Sequence, residues 1–184
     1  MPFGVQTGQL DIPLCLNMNP STQAALLRDL AESLSWQGIG KLVLLNGHGG
    51  NNFRQMIREL QPTVDIFLCA IDWYGVVDQR EYFSLEGDHA GEMETSVMMH
   101  VAPGLVRPLS EAGDGSERRP KLPGMLEGWA WTPRPWSRIS ADTGVGDPRQ
   151  ASAEKGARYV EVVTTRIGAF LAELSAIEPE ALYD

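Results

Sequence analysis

Apolar positions recur along this chain in two rhythms, and the alternation between them sets the expected fold. Leu26, Leu27, Leu30 and Leu34 fall at helical spacing after Asn19-Pro20. Asn19 suits an N-cap and Pro20 the first helical position, and Gly38 supplies a stop. Lys41-Leu42-Val43-Leu44-Leu45 is then a near-continuous apolar run of strand length, the pattern of a strand covered on both faces. A glycine-rich turn, Asn46 to Asn51, leads to a second helix over 52–60 and a second buried strand over 64–71, closed by Asp72-Trp73-Tyr74-Gly75. Helix, strand, turn, helix, strand is the α/β order, which predicts a parallel sheet with right-handed crossovers.

Three further segments follow. Gly87-Asp88-His89-Ala90-Gly91 is expected to open a helix with Met93, Val97, Met98 and Val101 as its apolar stripe, ending before Pro103-Gly104. From Pro103 to about Pro148 the chain is rich in Gly, Pro and Trp without periodicity; a loop of that length is usually functional, intersubunit or badly read. A long amphipathic helix is expected over 151–176, with Val160, Val163, Ile167, Phe170, Leu171 and Leu174 on its apolar face. The first 19 residues read as irregular or extended.

Composition narrows the function. The 184 residues predict one domain with a substantial core, residues 1–184. A formal charge of −9 argues against a nucleic-acid partner, and Glu117-Arg118-Arg119-Pro120-Lys121, the nearest thing to a basic patch, reads most simply as a solvated loop. No apolar run reaches the ~20 residues of a membrane span and no signal peptide is visible, so the expected location is the cytoplasm, with no membrane partner. Two cysteines, Cys15 and Cys69, match no zinc or redox spacing, and Cys69 reads as a small buried hydrophobe. Any metal must then be held by His, Asp and Glu, and His48, His89 and His100 are the three histidines.

Ligands of open α/β sheets bind beyond the carboxyl ends of the strands, where Asn46–Asn51 and Asp72–Tyr74 fall. Gly47, Gly49 and Gly50 are expected to turn sharply through positive φ, leaving the His48 imidazole open to a metal with its other nitrogen held by a neighbouring acceptor. The alternative is a capping turn in which His48 only hydrogen-bonds backbone; the glycine surround and the strand end favour the ligand. In Asp88-His89-Ala90-Gly91-Glu92-Met93-Glu94-Thr95-Ser96, His89 at a helix start is expected to be neutral and suited to proton transfer. Glu94 is expected to reach a site above the helix start and Glu92 to reach solvent; the alternative makes Asp88, Glu92 and Glu94 simple first-turn acids. His100 reads as a structural or dipole partner at the helix end. Trp73, Trp129, Trp131 and Trp136 fit either the wall of a small-molecule pocket or a subunit interface.

A strand followed by Asn-Gly-His-Gly-Gly-Asn, then His-Ala-Gly-Glu-x-Glu-Thr-Ser some forty residues on, resembles the creatininase (creatinine amidohydrolase) family. Asp142-Thr143-Gly144-Val145-Gly146-Asp147-Pro148 with Ala153-Glu154-Lys155-Gly156 resembles its C-terminal segment, and Met1-Pro2-Phe3-Gly4 its extended segment. The resemblance implies a creatininase-like three-layer α/β sandwich with a mostly parallel central sheet, often assembled as hexamers. It implies hydrolysis of a non-peptide C–N bond in a small cyclic or linear amide, by two zinc or manganese ions sharing a water. His48 would be a metal ligand, Glu94 a ligand or the group orienting the water, and His89 the proton shuttle. Trp73, with Gly49, Gly50 and Asn51, would lie beside the substrate.

The family's first strand carries a Glu-x-His-Gly motif with a downstream Asp, and nothing in residues 1–47 has it. The N-terminal strand and helix are therefore expected to be missing, leaving the C-terminal two-thirds of the pattern and an incomplete two-metal site. Creatininase has a glutamate ligand two residues after the histidine that matches His48, where this chain has Gly50, which points to an amide other than creatinine. The competing reading is a non-catalytic short paralogue that binds small molecules or assembles with other copies. A third, a phosphate-binding turn at Asn46–Asn51, lacks the P-loop Lys-Ser/Thr and any dinucleotide fingerprint.

Overall fold

A computed structural model of the chain describes residues 4–183, so Met1, Pro2 and Phe3 of the expected extended segment lie outside the described residues. Two compact units are found, one drawn from Met1–Gln6, Leu14–Val76 and Arg166–Asp184 and the other from Thr7–Pro13 and Val77–Thr165.

In the first unit the expected order holds. Helix α1 (Pro20–Trp36) precedes strand β1 (Lys41–Asn46), helix α2 (Phe53–Leu60) and strand β2 (Phe67–Asp72). Strands β1 and β2 pair in parallel from Lys41↔Phe67 to Asn46↔Asp72. Leu27 and Ala31 of α1, Phe53, Met56 and Leu60 of α2, and Ile66 and Leu68 make the core, with Leu42, Leu44 and Ala70 packed on it. These strand residues alternate in sequence and so share one sheet face. Full cover of β1 is not found, because Leu45 points the other way and is 62% exposed.

Local signals explain the helix ends. Pro20 opens α1, but the Asn19 side chain accepts no N–H of the helix; its oxygen accepts from Asn17 Nδ2, and its backbone carbonyl accepts from the N–H groups of Thr22 and Gln23. Asn52 does cap α2, accepting from the Gln55 N–H at 3.4 Å. The second strand starts later than expected, at Phe67, because Gln61–Thr63 continue α2 as a 3₁₀ turn. The Gln61 side chain then holds the strand entrance, accepting from Leu68 N at 2.8 Å and donating to Ile66 O at 2.9 Å. Lys41 donates from the start of β1 to the carbonyls of Leu174, Ser175 and Ile177 at the end of helix α6 (Ala153–Ala176), where unpaired carbonyls and the helix dipole favour a cation.

The second unit departs from expectation at its centre. Gly87–His89 forms a short strand, β3, and helix α3 runs Glu92–Val101. Strand β3 pairs antiparallel with β4 (Val145–Gly146), with His89 opposite Val145. Ala90, at φ 52°, turns the chain out of the strand before the helix begins. Gly146 lies at φ 118°, and a Cβ there would stand 2.5 Å from Gly87 Cα, so the two strands meet only through glycine.

The expected stripe of α3 is not its buried face. Met98 and Val101 are 38% and 56% exposed, and the sealed positions are Glu92 and Ser96. Gly156 of α6 is the physical reason: a Cβ there would stand 2.0 Å from Ser96 O, so only glycine admits this approach. Tyr159 of α6 packs edge-on against Phe83 and Tyr82, with centroids 5.2 and 5.5 Å apart. Burial beside Tyr82 pushes its phenol up to about 12.

The long loop resolves into 3₁₀ turns and two four-residue helices, α4 (Pro123–Leu126) and α5 (Trp136–Ile139), too short to show periodicity. The Arg118 N–H fastens it by donating to Ile139 O at 2.7 Å. No helix among the described residues is long and apolar enough to cross a membrane.

Candidate functional site

Two polar clusters grow from the two motifs, each within one unit. The first sits at the carboxyl ends of β1 and β2, where the register sets Asn46 opposite Asp72. Asn46, fully buried, donates to Asp72 Oδ1 at 2.8 Å, and its own oxygen accepts from His48 N at 3.1 Å and Asn51 Nδ2 at 3.0 Å. The Asn51 oxygen accepts from Val5 N at 3.1 Å and Gln23 Nε2 at 2.9 Å. Because Asp72 accepts at one end, every amide along this chain has a fixed sense. The Gln23 carbonyl oxygen is left buried with no hydrogen-bond partner among the described residues.

His48 is fastened at both ring nitrogens. The Gly50 N–H donates to Nδ1 at 3.1 Å, and the Gln6 side-chain amide stands 2.8 Å from Nε2. The Gln6 atom that faces Nε2 is its amide nitrogen, so both ring nitrogens are in hydrogen-bond contact. None of Gly47, Gly49 and Gly50 takes the positive φ expected of it. Gly50 is required for space: a Cβ there would stand 2.5 Å from both His48 Cε1 and Val5 O. The His48 ring thus occupies the room that a glutamate at this position would need.

Trp73 begins a 3₁₀ turn directly after β2. Its neighbour Tyr74 has its phenol raised, first by burial and then by the adjacent Asp72 carboxylate, which also pairs with Arg54 at 3.5 Å. Cys69 is half-buried, and burial pushes its thiol up.

The second cluster surrounds β3 and the start of α3. His89 lies in the strand, not at a helix start, so the dipole argument made for it does not apply. Its Nδ1 is 3.9 Å from Glu94 Oε2, and both side chains are about two-fifths exposed, 40% and 42%. Glu94 also accepts the Ala90 N–H at 2.6 Å, and Thr95 Oγ1 donates to Ala90 O at 3.1 Å, which holds the left-handed turn. Strained backbone of this kind gathers at functional sites. Trp136 packs edge-on against the His89 ring, centroids 4.9 Å apart, and the Arg134 guanidinium lies 4.7 Å over Trp136.

Glu92, expected in solvent, is 1% exposed. Its Oε2 accepts from Ser84 N at 2.9 Å and Leu85 N at 2.8 Å, while Lys155 Nζ pairs with its Oε1. Ser96 Oγ donates to Glu92 O at 2.6 Å and accepts from Ser152 N at 3.1 Å. The two glutamates of one motif thus divide: Glu92 locks the helix start to α6, and Glu94 faces His89.

Nearby, a cavity of about 260 Å³ is lined by Ala90, Thr95, Arg107, Gly113 and Asp142 among others. Burial alone would raise the Asp142 carboxyl, but the N–H groups of Gly113 and Gly144, with Ser140, outweigh it and hold it below its ordinary value. His100 is exposed in the last turn of α3.

The sequence pattern of creatininase, described as creatinine amidohydrolase, matches residues 1–171. The chain belongs to the creatininase family. A solved structure from Bacteroides fragilis NCTC 9343, described as a "putative creatinine amidohydrolase", is 43% identical with a TM-score of 0.91, covering 100% of this chain and 72% of that one. A manganese form of creatininase is 23% identical (TM-score 0.75, 95% of this chain and 74% of that one), and a mutant of Zn-Zn type gives the same four values. At that identity the two creatininases support the fold alone, and the α/β class agrees with them. No curated protein sequence matches significantly.

Among the described residues no three His, Cys, Asp or Glu side chains converge where a cation could sit. A catalytic zinc takes three protein ligands, so the described donors do not fit one.

Proposed function

We propose that the chain is an amidohydrolase acting on a non-peptide C–N bond of a small cyclic or linear amide. Membership of the creatininase family supports the reaction class. The single observation that carries the residue roles is the pairing of His89 with Glu94 across a strained Ala90. In this reading His89 gives a proton to the leaving nitrogen, and Glu94, fixed by the Ala90 N–H, orients the imidazole. Trp73, Gly49, Gly50 and Asn51 are proposed as substrate-binding residues at the carboxyl ends of β1 and β2.

Zinc or manganese is part of the proposal as cofactor, on the strength of the relatives; His48 and Glu94 are each proposed as a donor, His48 once one of its two ring contacts is released. The described residues supply too few donors to carry a reaction step through a metal. Self-association is also proposed: Leu14, Trp36 and Leu45 leave large apolar side chains exposed, as interfaces between copies do.

The test is direct. Purified chain supplemented with Zn²⁺ or Mn²⁺ is incubated with a series of lactams and cyclic ureides, and ring opening is followed by absorbance. Opening of at least one ring, lost in Glu94→Gln, is the expected result. A folded chain that opens none of them under any metal condition contradicts the proposal.

A further inference from the structure

The second unit contains a cavity that the hydrolase reading does not use. Its volume is about 730 Å³, within the roughly 300–1,000 Å³ of small-molecule sites. Arg118, Arg119, Trp131 and Arg134 line it, together with Asp88 and Glu117. It lies in a segment charged against the rest of the molecule. Between residues 117 and 138 five cations, Arg118, Arg119, Lys121, Arg134 and Arg138, face two carboxylates, Glu117 and Glu127, in a chain whose net charge is −9.

The wall's charges are not equally committed. Arg134 pairs with both wall carboxylates, with Asp88 and with Glu117 at 3.4 Å, and rests on the Trp136 ring. One guanidinium thus bridges both acids, and with Arg118 and Arg119 the wall's three cations exceed its two carboxylates by one. Arg118 and Arg119 have no carboxylate within ion-pair distance among the described residues, so the wall carries an uncompensated positive charge. Trp131 is 84% exposed beside them, with Met125, Leu126 and Ile139 supplying apolar surface. A forked guanidinium pairs a carboxylate through two parallel hydrogen bonds, and an indole face stacks a flat ring.

We propose that this cavity is a binding site for a small organic anion with a flat body, an aryl or heterocyclic carboxylate, held by Arg118 and Arg119 and stacked on Trp131. The ligand class follows from the wall: two free guanidiniums select a carboxylate, and a single large exposed ring selects a planar body. The proposal is independent of the hydrolase reading, since occupancy is measured without turnover.

The probe is hippurate, a benzoylated glycine with one carboxylate, and its neutral counterpart is N-methylbenzamide. Binding to the full chain is followed by titration calorimetry and by quenching of tryptophan fluorescence. Hippurate is expected to bind in the range of about 1 mM or tighter, and the neutral amide at least about tenfold more weakly. Arg118→Ala with Arg119→Ala, and separately Trp131→Ala, are each expected to weaken hippurate about tenfold or more, with an unchanged circular-dichroism spectrum. In the unaltered chain, raising the salt concentration should weaken hippurate and leave the neutral amide unmoved, which keeps the test open if a variant fails to fold. No binding of hippurate, equal binding of the neutral amide, or undiminished binding by the double arginine variant each overturns the proposal.

Discussion

The cluster at the end of β1 and the cluster around β3 both grow from a glycine-containing motif with a histidine, yet they solve different problems. At the end of β1 the partners are neutral amides. Asn46, Asn51 and Gln23 run outward from one carboxylate, Asp72, and His48 is held at both ring nitrogens. Around β3 the partners are charged: Glu92 is sealed against Lys155, and Glu94 faces a half-exposed His89. The contrast separates a locked histidine from an open one. A histidine with both nitrogens engaged positions a turn, whereas one with a carboxylate at one nitrogen and solvent beyond it is arranged to move a proton.

The largest effect should come from breaking the buried ion pair of the second region. Glu92→Ala takes the acceptor from two backbone N–H groups and the buried carboxylate from Lys155, which keeps its bond to Gln150 O, and should lower stability by about 3 kcal/mol in urea unfolding. Glu94→Ala, in an exposed pair, should cost no more than about 1 kcal/mol, and equal losses for the two would erase the division between them. Next comes the amide chain. Asn51→Ala removes the acceptor of Val5 N and Gln23 Nε2 together with the donor to Asn46, so a loss of about 1–3 kcal/mol is expected. A neutral outcome would mean that this region is not held by its amides.

Tyr159 gives the second region a pH signature. Its folded phenol is pushed up to about 12, above an unfolded value near ~10, so the protein keeps a proton that the unfolded chain has lost. That contribution is fully present below about pH 10 and fades as pH rises through about 12, with a total of about 3 kcal/mol. Tyr159→Phe should flatten this fall in stability between pH 10 and 12 relative to the parent chain, and an unchanged slope would count against the buried phenol. The smallest effect is at Ala90. Glycine there removes a left-handed strain of roughly 1–2 kcal/mol while adding unfolded-state entropy, so Ala90→Gly should stabilise by about 0.5 kcal/mol. A clear drop in melting temperature would mean that the turn is not strained.

The sequence made some of this visible because some of it is local. Helical leucine spacing, Pro20 and the apolar run at Lys41 are encoded within a few residues, and α1, β1, α2 and β2 follow them. The Asn46–Asp72 pair follows from aligning the ends of two strands, which a linear reading passes over. Residues 87–91 read as the start of a helix because Gly146, more than fifty positions away, supplies the strand partner. Glu92 was expected in solvent since nothing near it in sequence announces Lys155 or the N–H groups of Ser84 and Leu85. The α3 stripe misled for the same reason: Gly156 chooses the buried face, and apolar periodicity carries no trace of it. The engagement of His48 depends on Gln6, a polar residue in an irregular segment with no motif of its own.

The central claim is that His89, steadied by Glu94, moves the proton in amide hydrolysis, and the most direct test is a comparison of His89→Asn with the parent chain. Both are supplied with Zn²⁺ or Mn²⁺ and assayed on a cyclic amide that the parent opens. Loss of a positioned general acid–base group should lower kcat by about 10²–10⁴-fold while the melting temperature stays close to the parent value. A variant that folds and opens the ring at the parent rate would contradict the account.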